Sequence, residues 1–584
     1  MSGHSAPNPR WSVASRVVTF LVGTGLAVLA SLSSPGLQHG MLINADTAMR
    51  LLRLRDSLAA GLPLHTIMRD SSGQGPVLHW SHLLDAVILL VAAPTAAISG
   101  WNAGLQSAAL ILGPLTIGLL ALSIAWAILP IAQSGTRLGQ PSLGPVWMVA
   151  LPIGLAPSIV QYGVAAVVHH HVLLAASGAW VAGWAIRAIQ GGGARAGLGV
   201  GFSAAIGLWL SPEALTLGLM AIGGVWVAWV ARPNLPLARS VGSAGLGLLG
   251  ATVGAWLIDP PATGYGAAEP DRLSLMFVWL AIGAAFASCL ALTPRSPRVI
   301  ALAGGLVAAS AWLIAYPQIL RGTSGLMTPM EASVFFDGIL EMEPVASLAT
   351  AVVYLGSGAM AVLFIGWAAY HKRSTVILYA AACALVLVVL GARHVRFASY
   401  PATLAAALLP VAIATVMRSS LSNQGVALAR IGIIGVVLAV PPIAGYALAA
   451  MDPASVPSDP SGLTTASCSL DEAAGLVEPL GAAVVLAPVN EGPFLLWRSQ
   501  IRTVGTLYHR GIDGFMRLHT AWFDPADPRG AVKATGADYV LFCPQPGLAG
   551  PAGSLLTQLN KHQPPPWLIY AGAGGGYVLY RVMP

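Results

Sequence analysis

This sequence has little charge: Asp, Glu, Lys and Arg make up 9% of its 584 residues, against roughly a quarter in soluble domains. Such a chain does not take water as its main solvent. Cysteine is scarce too, with four in all, and no Cys-x-x-C or Cys/His spacing marks a zinc-binding module. Cys289 and Cys383 lie inside apolar runs and read as small buried hydrophobes. Cys468 and Cys543 both fall near the C-terminus and are expected to pair in an oxidising compartment. No internal repeat and no matched pair of Gly/Pro-broken helices is present, which weighs against an inverted-repeat transporter. The basic residues behind the net charge of +7 sit in short clusters between apolar runs. Without aromatics interleaved among them, nucleic acid is not an expected partner.

What the sequence has instead is hydrocarbon, at 56% of residues. Stretches of about 17 to 25 apolar residues are long enough to cross a bilayer. They occur at 15–34, 104–131, 143–161, 172–188, 196–211, 214–231, 240–258, 273–293, 299–316, 347–369, 375–391, 398–416 and 427–449. Arg10 and Arg16 precede the first run, and no small-x-small cleavage site follows it, so it is expected to remain as an uncleaved helix. A further segment, 83–98, is ambiguous. If it does not cross, Arg137, Arg187, Arg195, Arg232, Arg239, Arg295, Arg298, Lys372, Arg373, Arg418 and Arg430 all share one side, as the positive-inside rule requires of a cytoplasmic face. The segment is therefore expected to pack at the outer surface.

This threading yields a polytopic α-helical membrane protein of about thirteen spans. A transmembrane domain at 1–450 carries outer loops at 35–103, 162–171 and 317–346. A Pro- and Ser-rich linker follows at 451–464, and then a water-soluble domain at 465–584. In that domain Ala482–Ala487 and Tyr539–Cys543 read as strands, and Leu470–Leu480 and Pro528–Thr535 as helices. A small α/β domain results.

The outer loops hold most of the residues capable of chemistry. Asp46 opens an amphipathic stretch with apolar positions 49, 51, 52, 54 and 58; capping that helix is the plainest role for it. His169, His170 and His171 stand where a span begins, and 169 and 171 point the same way if the backbone is extended. The triplet reads equally as an imidazole metal site or as interfacial side chains facing water. Glu341 and Glu343 precede Pro344 at the end of another outer loop. Arg396 lies in a short outer turn, where a guanidinium meets a lipid phosphate or snorkels to headgroups. Glu213 is the nearest approach to an intramembrane carboxylate, and the threading places it at the outer edge.

Taken together, these segments resemble the catalytic subunit of oligosaccharyltransferase and its single-subunit relatives, within the glycosyltransferase C fold. Asp46 falls where that family has its first-loop catalytic aspartate, with Met49-Arg50 after it. His169-His170-His171 is similar to the second-loop motif whose archaeal form is Asp-His-His. Glu341-Met342-Glu343-Pro344 is similar to the fifth-loop Ser-Glu-His-Gln-Pro stretch, and Arg396-Phe397-x-x-Tyr400 to the Arg-Phe-x-x-Tyr segment whose arginine contacts donor phosphate. Other stretches, Arg55–Ala59, His79–Asp85 and Tyr508-His509-Arg510, look like an uncharacterised proteobacterial branch. Two departures stand out. His169 replaces an aspartate, and the Trp-Trp-Asp acceptor motif is missing, with only Ala521-Trp522-Phe523-Asp524 as an echo of it.

The resemblance implies a transferase that moves a sugar or oligosaccharide from a polyprenyl phosphate or diphosphate donor to an envelope glycan, lipid or protein acceptor. It places the chain in a bacterial inner membrane, with its C-terminal domain periplasmic. Asp46, His169, His171 and Glu341 are the expected ligands of a divalent cation, Mg²⁺ or Mn²⁺ by family and Zn²⁺ by the imidazoles. Asp46 and Glu341 are the expected catalytic carboxylates, Arg396 and Arg50 the expected phosphate contacts. Tyr508, His509 and Arg510 are candidates on the acceptor side. A transporter or flippase of lipid-linked sugars and a non-catalytic membrane scaffold are the rival readings.

Overall fold

The computed structural model describes residues 11–584 apart from 33–41, 43, 68, 71–76, 134–144, 294–297, 337–338, 373, 418–421, 439, 452–467 and 545–549. The linker beyond Met451, together with Arg10, Arg137, Arg295, Arg373 and Arg418, lies outside the described residues.

In hydrocarbon every backbone N–H and C=O must bond within its own segment, so long apolar runs become helices. Ten helices among the described residues are long and apolar enough to cross a bilayer; three shorter apolar ones cover Val146–Leu155, Leu275–Leu290 and Gln424–Val437. The order is α1 Val13–Leu32, α2 Ala45–Ala60, α3 His82–Gln133, α4 Ala150–Leu155, α5 Pro157–Val160, α6 His171–Ile189, α7 Gly193–Leu210, α8 Leu215–Ala231 and α9 Leu235–Ile258. It continues with α10 Leu275–Leu290, α11 Arg298–Ala315, α12 Pro329–Phe336, α13 Leu348–Lys372, α14 Thr375–Arg393, α15 Ser399–Met417, α16 Asn423–Leu438 and α17 Val440–Met451. Lipid supplies no hydrophobic drive between helices, so close backbone approach has to hold them. The α7–α9 contact does this with Gly197 and Gly201, one turn apart: a Cβ on either would fall 2.1 Å from a carbonyl oxygen of Ser240 or Ala244.

Helix α3 is two helices joined at Gly100, whose φ of 83° lies in the left-handed region that glycine tolerates. The chain doubles back there: a Cβ on Gly104 would meet the Ala92 carbonyl and the Ala96 methyl at 2.7 Å. Segment 83–98 thus lies against residues that follow it, and its Leu84, Ile88 and Ala92 share a core with Leu105, Ala108 and α2.

The C-terminal domain comprises α18 Leu470–Val477, β1 Val484–Leu486, α19 Gly492–Arg498, β2 Arg502–Thr503, α20 Ile512–Phe523, α21 Pro528–Ala534, β3 Tyr539–Phe542, α22 Leu555–Asn560, β4 Leu568–Gly574 and β5 Tyr577–Val582. The sheet order is β2-β1-β3-β5-β4. β1 runs parallel to β2 and β3, and the β4–β5 hairpin completes the sheet antiparallel. All four elements expected in this domain are present. A disulfide joins Cys468 to Cys543 as expected, tying the start of α18 to the end of β3.

The domain and the first loop share one hydrophobic core, which runs from Met49, Leu52 and Ile88 to Phe494, Leu495 and Leu541. Polar contacts fix the register. Arg55 donates to the Trp497 carbonyl at 2.8 Å, and Arg69 to those of Leu496 and Ser499 at 2.6 and 2.5 Å. Two cations thereby meet the negative end of α19, and Asp56 bridges them at 3.0 Å each.

One acidic group in this core makes stability depend on pH. Burial pushes the Glu491 carboxyl up to about 8, against the opposite pull of its hydrogen bond with Tyr577. Because the folded value lies above the ordinary one near 4.5, the unfolded chain loses this proton first as pH rises. Stability therefore falls across that window, by a few kcal/mol in order of magnitude. Glu491→Gln is expected to remove this slope. Thermal unfolding of both proteins in detergent between about pH 5 and 8 checks it, the difference between their midpoints widening with pH.

Candidate functional site

The site is built where α2, the loop before α6, the loops flanking α12 and the start of α15 meet the C-terminal domain. At α2 the cap is Asn44, whose side chain accepts the Thr47 N–H at 2.8 Å. The capping role read for Asp46 from sequence is corrected by this contact. Its carboxylate is free to face inward, where one oxygen lies 3.1 Å from His169 Nε2 and the other accepts the Tyr508 hydroxyl at 3.1 Å. Burial alone would raise the Asp46 carboxyl. His169, together with Arg50 and Tyr508, holds it below its ordinary value, so it is ionised at neutral pH. With 30% of its side chain exposed, it remains reachable from outside.

The histidines stand at the end of an irregular stretch, 161–170, and α6 begins at His171. Just upstream, Ala166 adopts a φ of 64°, a conformation that non-glycine residues avoid unless their surroundings impose it. The ring nitrogens Nδ1 of His169 and His171 face each other at 2.6 Å. Tyr162 stacks on His171 with centroids 4.5 Å apart. A ligand nitrogen from each of His169, His170 and His171 fits within 4.8 Å of the others. Burial, reinforced by His169, keeps His170 well below the ordinary imidazole value and hence neutral. Imidazoles with a carboxylate on the far nitrogen of one of them form a donor set suited to a divalent metal, in the pattern by which a carboxylate fixes a ligand histidine's tautomer.

Beyond the histidines stand Arg396 and Glu213. Arg396 donates to Glu213 at 2.5 Å and lies 3.5 Å from His171 Nε2, while the second oxygen of Glu213 is 3.7 Å from that same nitrogen. Glu341 is one step removed: it accepts the Tyr162 hydroxyl at 3.0 Å and reaches the imidazoles through that ring. Asp46, His169, His171 and Arg396 are therefore brought into one chain of contacts, with Glu341 behind it. Arg50 is set apart, buried against Asp85 at 3.3 Å and stacked 4.1 Å from the Trp80 ring.

The three acceptor-side candidates are separated by what they touch. Tyr508 meets Asp46, whereas His509 and Arg510 grip Asp271, with His509 Nε2 at 2.7 Å and the guanidinium at 2.6 and 2.8 Å. Trp522 of the motif echo packs in the domain core beside Phe542. Sequence reasoning gave no role to Glu213, Asp271 or Asp85. Only Glu213 carried a signal, a carboxylate directly after Ser211-Pro212 at the mouth of a span.

Neither a family model nor a curated protein matches the chain. Solved structures do. An archaeal oligosaccharyltransferase, AglB from Archaeoglobus fulgidus, solved with an inhibitory peptide and a dolichol-phosphate, superposes with a TM-score of 0.65 at 12% identity, over 92% of this chain and 70% of that one. The Archaeoglobus fulgidus enzyme tethered to an acceptor peptide with the NVT sequon gives 0.66 at 12% identity, over 92% and 69%. Its complex with Zn and sulfate gives 0.60 at 13% identity, over 90% and 67%. The chain has the glycosyltransferase C fold. In this chain a bundle of apolar helices is followed by a smaller domain built on a five-stranded sheet.

Asp271 is the anchor between the two parts. Burial alone would raise its carboxyl, but Arg510 and His509 hold it far below its ordinary value. A depressed folded value means the stabilisation is present above pH about 4 and disappears only in stronger acid. Asp271→Ala leaves buried His509 without its carboxylate and half-buried Arg510 with Glu269 alone, and is expected to cost about 1 to 3 kcal/mol. A lowered thermal midpoint, with faster hydrogen exchange around residues 505–515, checks this.

Proposed function

We propose that this protein is a membrane glycosyltransferase that moves a sugar from a polyprenyl phosphate or diphosphate donor to an acceptor outside the cytoplasm. The observation that carries the reading is the contact chain Tyr508–Asp46–His169–His171–Arg396, assembled from four segments far apart in sequence. A scaffold needs no such convergence of carboxylate, imidazoles and guanidinium at the mouth of an apolar bundle. The archaeal protein of the same fold was solved with a dolichol-phosphate in one case and with Zn and sulfate in another. Those two ligand classes, a lipid phosphate and a divalent cation, are the ones that Arg396 and the histidines are suited to hold.

His169 and His171, with His170 beside them, would hold the cation, and Asp46 would keep His169 in the tautomer that offers its Nδ1. The donor set, rich in imidazole, suits Zn²⁺ or Mn²⁺ better than Mg²⁺. A bound cation supplies Lewis-acid stabilisation of charge developing on the departing phosphate. Arg396 donates to that phosphate, a charge-assisted contact that positions the lipid-linked sugar. Asp46, ionised and reachable, accepts the acceptor's hydrogen bond and then its proton as the new glycosidic bond forms. A single displacement of this kind inverts the anomeric carbon. Tyr508 holds Asp46 from the domain side, where an acceptor would enter. The short loops rich in Arg would face the cytoplasm and the site the periplasm of a bacterial inner membrane.

Asp46→Asn is expected to lower transfer by about 10²- to 10⁴-fold, read as consumption of a labelled polyprenyl-phosphate sugar, with the thermal midpoint unchanged. Full activity in that variant would remove Asp46 from the reaction. His171→Ala is expected to lose the bound Mn²⁺ or Zn²⁺ that metal analysis finds in the intact protein.

A further inference from the structure

Arg396 and Glu213 form a pair that leaves both partners incompletely satisfied. One terminal nitrogen of Arg396 donates to Glu213 at 2.5 Å. The other points at the Met342 thioether sulfur at 2.9 Å, a weak acceptor. The guanidinium Nε is buried with no hydrogen-bond partner among the described residues, and so is the second oxygen of Glu213. Buried polar atoms without partners carry their full desolvation cost. A ligand with more acceptor oxygens than one carboxylate can offer would relieve it.

Phosphate is such a ligand, and it competes with a carboxylate for the same fork of N–H donors. Glu213 has somewhere to go when displaced. It sits in a single helical turn, Pro212–Ala214, and its own N–H is capped by the Ser211 hydroxyl. A side-chain rotation there moves no span. Its unpartnered oxygen already lies 3.7 Å from His171 Nε2, so a small movement converts that gap into a hydrogen bond. An incoming phosphate with Glu213 still in place would meet like charge.

We propose that Glu213 stands on Arg396 in place of the donor phosphate, and that donor binding drives it across to His171. This rests on the reading of Arg396 as the donor contact. Glu213 thereby sets the affinity for the lipid phosphate and signals its arrival to the histidine cluster, without touching the reacting atoms. The carboxylate acts as a built-in competitor that keeps the guanidinium from holding other anions.

Farnesyl phosphate titrated into the detergent-purified full-length protein tests this. Removing the competing charge in Glu213→Gln or Glu213→Ala is expected to tighten binding about tenfold, the equivalent of about 1.4 kcal/mol. The KM for a lipid-linked sugar should fall while the rate at saturating donor does not rise. Equal or weaker binding in both variants, with thermal midpoints at or above that of the intact protein, would overturn the proposal and make Glu213 a support for Arg396. Glu213→Asp, which keeps the charge, should bind no tighter than the intact protein. Arg396→Ala separates the two layers: if it binds farnesyl phosphate as well as the intact protein does, the donor reading itself fails.

Discussion

The hydrogen bond from Tyr508 to Asp46 spans 462 residues of chain, and it closes the site across the boundary between a lipid-soluble bundle and a water-soluble domain. Each side depends on it differently. Asp46 is available because Asn44 caps α2 in its stead, and Tyr508 is in reach because Asp271 grips the next two residues of the same turn. Beneath α2, Asp85 accepts two bonds of 2.6 Å from Arg53, a side chain only 1% exposed. Arg53 also donates to the Leu64 carbonyl, fixing the loop that leaves α2. Charges this deeply buried are tolerated only when paired and hydrogen-bonded, so the scarce acidic residues of the chain are concentrated where they hold this one face together.

The same scarcity explains what could be read in the sequence. Thirteen apolar runs and the side on which basic loops gather need only composition and length, and each run carries an apolar helix in the folded chain. Strands β1 and β3 and helices α18 and α21 are visible from short apolar runs and their flanking turn residues. Strand β2, two residues long, and the glycine-rich β4 offered no periodicity to detect. The arm 83–98 looked like a span by hydropathy alone; Gly100 and the neighbouring core of α2 give its apolar face protein to pack on.

That Asp46, His169, His171, Glu341 and Arg396 come near one another could be anticipated because they sit in ordered motifs near the ends of apolar runs. Their partners could not, since a partner is chosen by tertiary packing. Glu213, between α7 and α8, meets Arg396, in the turn before α15, and Asp271 meets Arg510 across 239 residues. Tyr508, His509 and Arg510 looked like one exposed turn. Consecutive side chains of a turn point in different directions, and here they serve a carboxylate of the site and an anchor of the domain.

The shared core of the first loop and the last domain has a consequence for how the molecule comes into being. Arg55 waits 442 residues for the carbonyl of Trp497. At roughly 5 to 20 residues per second of synthesis, the apolar faces of α2 and the folded-back arm of α3 stand uncovered for about 20 to 90 seconds while the twelve later apolar runs are made. A nascent chain with such a patch beyond the bilayer is a substrate for whatever holdase patrols that compartment, and its maturation is completed from the end of the chain backward.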